Sequence, residues 1–219
     1  MDMIDPFRLC LALGPVAVYV LLLGSINLSR RPFLVSGTRD AAALGLALSG
    51  LTVVGPLELF LPDMAAVHLG PYAWLLLLLL YGLVLVLVLL MLRPRLIVYN
   101  ISLDQLRPIL ADLVPRLDRE ARWAGDCLAL PTLGVQLHVD SMTAMRNISL
   151  VSTGARQSHA GWRKLERGLA EALTGLEVGR NPRGVSLLIT AVLLLAVIVR
   201  EISRDPEATI QALFKMFRL

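Results

Sequence analysis

The side chains able to move a proton or hold a metal ion are few and widely spaced. Glu58 lies in the otherwise apolar run 41–60, and Asp63 and His68 follow it. An ionisable residue inside a membrane span is by default a candidate for a proton or ion pathway. Depth argues for a humbler role. Glu58 is 17 residues beyond Ala41, roughly 25 Å along a helix and near the far interface, where a carboxylate is readily solvated. The gaps across Pro62 do not repeat the fixed spacing of metal-ligating His and carboxylate groups. A second cluster, His138-Val-Asp140-Ser141, holds three residue types used in nucleophilic catalysis. Strand alternation puts His138 and Asp140 on one face. Neighbours along one strand cannot by themselves supply a nucleophile, a base and a third orienting group. Ser158 beside His159 reads as a helix cap, and Cys10 and Cys127 have neither zinc spacing nor a disulfide framework. The sequence predicts no cofactor and no metal centre, and leans against an enzyme.

The elements around these residues are dominated by apolar blocks. Hydrophobic residues make up 56% of the 219, above the roughly 45–50% of soluble domains, and mean hydropathy is +0.70. From Pro71 to Leu92 no ionisable side chain occurs, and Leu75 to Leu80 is unbroken leucine. About 20 such residues cross a bilayer core as a helix. Tyr72 and Trp74 stand at one end, as in an aromatic belt, and Arg93 and Arg95 at the other. Similar runs occur at about 9–26, 41–60 and 184–202. The first is read as a retained span, because Asp2 and Asp5 precede it where a secretory signal would be basic. Pro15 and the Gly55-Pro56 pair predict irregular helix geometry in the first and second spans. Ala41, Gly45 and Ser49, four residues apart, form a small-residue stripe that predicts close helix packing.

Residues 93–183 have the mixed composition of a soluble domain. Leu96 to Tyr99 reads as a buried strand. Ser102 and Gln105 match a capping box ahead of leucines at 103, 106, 110, 113 and 117, a pattern interrupted by Pro108 and Pro115. Three strands are expected next: Arg122 to Leu130, Val135 to Val139 and Asn147 to Val151, with a hairpin turn at Pro131 to Gly134. A helix from Ser158 to Leu176 follows, with Gly179 as its stop and Trp162, Leu165, Leu169, Ala172, Leu173 and Leu176 as its apolar face. Trp123 and Trp162 are assigned to the core. The predicted fold class is a membrane α-helical protein, with four transmembrane helices and an inserted small α+β domain of β-α-β-β-β-α order. Residues 203–219 close the chain as an amphipathic interfacial helix.

Charge sets the expected topology. Arg30, Arg31 and Arg39 lie on the loop between the first two spans, and Arg93, Arg95, Arg180 and Arg183 border the insert. The positive-inside rule places these in the cytoplasm, both termini outside, and the chain in a bacterial inner membrane. Arg30-Arg31-Pro32 would touch lipid headgroups. Asn27, Asn100 and Asn147 each open an Asn-x-Ser sequon on that inner side and are read as chance matches. From Arg93 to Arg180, twelve Arg and Lys face nine Asp and Glu, a balance that argues against nucleic acid as a partner. The expected partners are the bilayer and a protein, or a second copy of the chain. The function expected is a non-enzymatic scaffold that binds a partner through the α+β domain. The alternatives are an oligomeric transporter or channel subunit using Glu58 and the proline-kinked spans, and a membrane-anchored enzyme.

Overall fold

The computed structural model describes residues 6–57, 71–142, 145–155, 157–204, 206, 207 and 210. The chain is mostly helical, with one six-stranded antiparallel sheet. It divides into two compact units. The first comprises Met1–Leu23, Ala42–Met91 and Ser186–Leu219; the second comprises Gly24–Ala41 and Leu92–Val185.

Apolar helices build the first unit: α1 (Pro6–Leu28), α2 (Gly37–Thr52), α3 (Pro71–Met91) and α6 (Arg183–Arg204). Two of these, α1 and α6, are long and apolar enough to cross a membrane; the apolar stretch Leu75–Met91 of α3 is shorter. At 23 and 22 residues they span roughly 33 Å, against about 30 Å of hydrocarbon. Leu79, Leu83 and Leu90 on α3 and Leu193 and Val199 on α6 are exposed. A water-soluble fold turns such side chains inward; helices solvated by lipid need not. α1 runs through Pro15 without a break. α2 instead gives way to a π-helical turn, Val53–Leu57, which contains Gly55-Pro56. Proline lacks the N–H that the α ladder needs, and the wider turn accommodates the gap.

The second unit is a sheet with two helices on one face. Its strands are β1 (Phe33–Ser36), β2 (Arg95–Tyr99), β3 (Arg122–Ala124), β4 (Cys127–Leu130), β5 (Val135–Met142) and β6 (Asn147–Ser152), in the order β1-β2-β6-β5-β4-β3. The helices are α4 (Leu103–Leu117) and α5 (His159–Leu173). Leu96, Val98, Leu128, Leu137, Ile148 and Leu150 from the sheet meet Leu106, Leu110, Leu165 and Leu169 from the helices in one core. α4 continues through Pro108 and Pro115, because Leu106, Leu110 and Val114 are fully buried along its inner face. That burial outweighs the local cost of the prolines.

Three expectations need correction. Arg122 to Leu130 is two strands, not one: Gly125, at φ +62°, turns the chain so that Ala124 pairs with Cys127. The basic connector after the first span contains β1, which pairs with β2 in the register Phe33↔Tyr99 to Ser36↔Leu96. The insert alone therefore carries β-α-β-β-β-β-α, and the sheet gains a sixth strand from outside it. The second helix of the insert stops at Leu173, where Gly175 at φ +87° takes the left-handed conformation, rather than at Gly179. The expected tail helix 203–219 falls almost wholly outside the described residues.

Asp118 closes the C-terminal end of α4 and is only 3% exposed. Its carboxylate accepts N–H bonds from Glu120 at 3.0 Å, Thr132 at 2.8 Å and Leu133 at 3.3 Å. Burial pushes its pKa up. The Thr132 side chain and the backbone N–H groups of Glu120, Leu133 and Thr132 together outweigh that and hold it below the usual carboxylate range. A depressed folded-state pKa contributes stability above the unfolded value of about 3.9, and that stability is lost as pH falls through the folded value. Asp118→Asn is therefore expected to lower the unfolding temperature of the detergent-solubilised chain at neutral pH, with the gap from wild type closing below about pH 4. A gap unchanged at pH 3 would refute the assignment. Leu165→Ala is expected to cost about 2–5 kcal/mol through the cavity it leaves, read from the same melts.

Candidate functional site

The helices α4 and α5 cover one face of the sheet. On the other face the alternation of β5 turns Gln136, His138 and Asp140 outward, with Cys127 of β4 and Ser149 and Val151 of β6 beside them. Register decides who meets whom. Cys127 pairs across the strands with His138, and its Sγ lies 3.5 Å from the imidazole Nδ1. Asp140 pairs with Ser149. Ser141 points to the opposite face, so the tripeptide motif is divided between the two sides of the sheet. His159 begins α5, exposed on the helix side. The structure thus gives His138 a thiol neighbour that spacing along the chain did not reveal. The turn at Pro131 to Gly134 folds β4 back along β5, and the register it sets from Leu130↔Val135 to Cys127↔His138 creates the pair.

At the β1–β2 end of the same face the first turn of α2 packs onto the sheet. Tyr99 donates its hydroxyl to Asp40 Oδ1 at 2.5 Å, and an Arg95 guanidinium nitrogen lies 3.8 Å from Asp40 Oδ2. Gly37 fits against the Arg95 side chain, where a Cβ would collide with it. Ile97 and Tyr99 are consequently buried. The uncovered area is therefore the stretch over β6, β5 and β4, a mixed polar and apolar surface carrying a thiol, an imidazole, a carboxylate and a hydroxyl.

A second constellation lies where α1 ends and α6 begins. Asn181 Nδ2 donates to Asn27 Oδ1 at 3.0 Å and to the Met145 carbonyl at 3.1 Å. Asn100, at φ +60°, donates Nδ2 to the Ser29 carbonyl at 2.6 Å. All three asparagines are at most 2% exposed. Asparagine suits both tasks: it tolerates the left-handed conformation and bonds backbone groups locally. Two of the three sequon asparagines are thus internal polar ties, closed to glycosylation in the folded chain. Arg146 adds a bond from Nη1 to the Gly179 carbonyl at 2.8 Å.

The remaining residues singled out by sequence fall as follows. Glu58 and His68 lie outside the described residues. Arg30 and Arg31 are exposed on the turn between α1 and β1. Gly45 packs against Leu85 of α3, and its carbonyl accepts the Tyr81 hydroxyl at 2.5 Å. Ser49 turns its hydroxyl to the Leu46 carbonyl of its own helix at 2.7 Å, and Ala41 is half-buried. A second close helix contact involves Gly50, outside that stripe, which rests on the backbone of Leu11 and Ala12. Trp162 is buried and donates Nε1 to Gln157 at 2.9 Å, whereas Trp123 sits exposed on the edge strand β3, contrary to its expected core position. Among the described residues no three His, Cys, Asp or Glu side chains come together as a metal site. A hollow of about 390 Å³ between α4 and α5 is lined by Pro108, Ile109, Asp112, Leu113, Arg116 and Ala172. It lies on the helix side of the sheet, away from Cys127 and His138.

Asn181→Ala is expected to destabilise the second unit by about 1–3 kcal/mol, since it removes the donor to Asn27 Oδ1 and to the Met145 carbonyl and the acceptor of the Arg183 N–H. Thermal melts in detergent, with Asn181→Gln as a comparison, would read this; a change below about 0.5 kcal/mol would show that water replaces the bonds freely. The chain matches no protein-family model, no curated protein and no solved structure.

Proposed function

We propose that this is a four-span membrane protein whose α+β unit is a non-enzymatic scaffold, binding a protein partner on the cytoplasmic side through the uncovered sheet face. Both termini lie outside and residues 93–183 inside. The observation that carries this reading is the one-sided covering of the sheet. α4 and α5 seal one face with a complete apolar core, while the stretch of β4, β5 and β6 bearing Cys127, Gln136, His138, Asp140, Ser149 and Val151 is left to its side chains. A sheet face of this kind offers many shallow contacts and one register, which suits a protein surface better than a small molecule. The thiol and imidazole sit on a strand pair with Cys127 exposed, an arrangement suited to contact more than to water-excluded chemistry. The apolar helices α1 and α6, with exposed side chains along both, support the membrane placement. The Arg residues flanking the insert support its orientation.

Two experiments test this. A membrane-impermeant maleimide should label Cys127 in lysed cells and leave it unlabelled in intact ones; labelling in intact cells would reverse the topology. A photoreactive residue at Gln136 or Asp140 should crosslink one discrete partner in cells, and the same residue at Arg163, exposed on α5, should not. Ser149→Arg should abolish that product without changing the melting temperature by more than about 2 °C. Equal products from both faces would remove the sheet from the account.

A further inference from the structure

The segment leaving α1 and the segment entering α6 lie side by side. The Val178 N–H donates to the Arg30 carbonyl at 2.8 Å, and the Asn181 N–H donates to the Asn27 carbonyl at 3.1 Å. The residue numbers of each pair have the same sum, so the two segments run antiparallel. The buried Asn27–Asn181 amide bond lies beside them. Gly184 packs onto Leu28, Asn27 and the Gly24 carbonyl, an approach that a Cβ would obstruct. On this rigid base Arg30, Arg31, Arg180 and Arg183 are exposed, with Glu177 as the one acid in the same two segments. Leu28 is the last residue of α1 and Arg183 the first of α6, so the cations stand where two apolar helices end. Those helices carry exposed apolar side chains close by in sequence: Val18 and Leu22 on α1, Val185 and Ile189 on α6.

We propose that this patch binds the phosphate of an anionic phospholipid headgroup. The inference rests on the membrane reading above and adds a lipid class and a place. The guanidinium fork matches phosphate oxygens two at a time, which an ammonium cannot do. Three or four such groups held by two cross-bonded segments lose less freedom on binding than arginines on a loose loop. Cations at the very ends of two apolar helices suit an amphiphile, whose headgroup is polar and whose acyl chains are not. A free phosphate would use only the first, and an acidic peptide would leave the apolar helices unmatched.

The full chain should be reconstituted into vesicles of phosphatidylcholine and phosphatidylglycerol in equal parts, then released and weighed intact with its retained lipids by native mass spectrometry. The wild type is expected to retain phosphatidylglycerol in preference to phosphatidylcholine. Replacing Arg30, Arg31 and Arg180 by Gln should weaken that preference by about fivefold for each arginine removed, while Arg→Lys at the same three positions should retain part of it. Replacing Arg163, Lys164 and Arg167 on α5 by Gln removes the same charge elsewhere and should leave it intact. Thermal melts check that each variant is folded. Equal lipid retention by wild type and the Arg30, Arg31, Arg180 variant would overturn the proposal. So would an equal loss in the α5 variant, which would mean that net charge alone is read. Displacement of the lipid by millimolar inorganic phosphate would identify a small-anion site instead. Carbonate extraction of the chain from the vesicles separates these from the broader reading: a wild-type chain washed off by carbonate was never embedded, and the membrane assignment itself would fail.

Discussion

The second unit depends on a single buried amide pair that joins residues 154 positions apart, Asn27 and Asn181. The unit is built from Gly24–Ala41 and Leu92–Val185, and this bond ties the start of the first segment to the end of the second. An amide pair in a dry place is costly to break, since each group left alone forfeits a bond it would have made in water. It also fixes register, which apolar contacts do poorly. With the ends fixed, Phe33–Ser36 is delivered to the free edge of Arg95–Tyr99 and the sheet acquires its sixth strand. Residues 24–28 and 181–185 therefore gather beyond one end of the β1–β2 pair, where Asn100 bonds Ser29. Residues 37–40 gather at its other end, where Asp40 meets Arg95. The segments on either side of β1 are thus held at the two ends of one strand pair.

The core of that unit follows from ordinary patterning. Strands β4, β5 and β6 alternate, α4 and α5 carry apolar stripes, and all the inward residues converge between sheet and helices. The apolar helices obey a different rule. Their leucines and valines face outward, and their helix contacts come from small residues: Gly45 under Leu85, and Gly50 on the backbone of Leu11 and Ala12. Where every surface is apolar, burying a leucine gains little, and close backbone approach sets the packing. The two units thus follow different packing rules.

Much of this was legible residue by residue. The capping role of Gln105, which accepts the Ser102 N–H at 3.2 Å, and that of Ser158, which accepts from Gly161 at 3.2 Å, follow from local sequence. So do the turn at Pro131 to Gly134 and the alternation of β5. What was hidden depends on distant partners. Four residues after a proline carry too short a pattern to announce a strand, and β1 exists because β2 offers it an open edge. Gly125-Asp126 is a hairpin signal, but it sat inside a strand-like run, Arg122 to Leu130, long enough to pass for one strand. Cys127 and His138 lie eleven residues apart and become neighbours through the register that the turn at Pro131 to Gly134 sets between β4 and β5. The asparagines looked like accidental sequons because nothing local distinguishes a buried amide from an exposed one. Glu58 and His68 are legible as residue types alone, outside the described part of the chain.

The sheet ends abruptly on both sides. β1 has four residues and starts just after Pro32, and β3 has three and stops at the Gly125 turn. A neighbouring chain trying to extend the ladder would find only a few free rungs, and on β3 it would also have to pass the exposed Arg122 and Trp123 side chains. Short margins let many copies crowd together without stitching into a continuous ribbon.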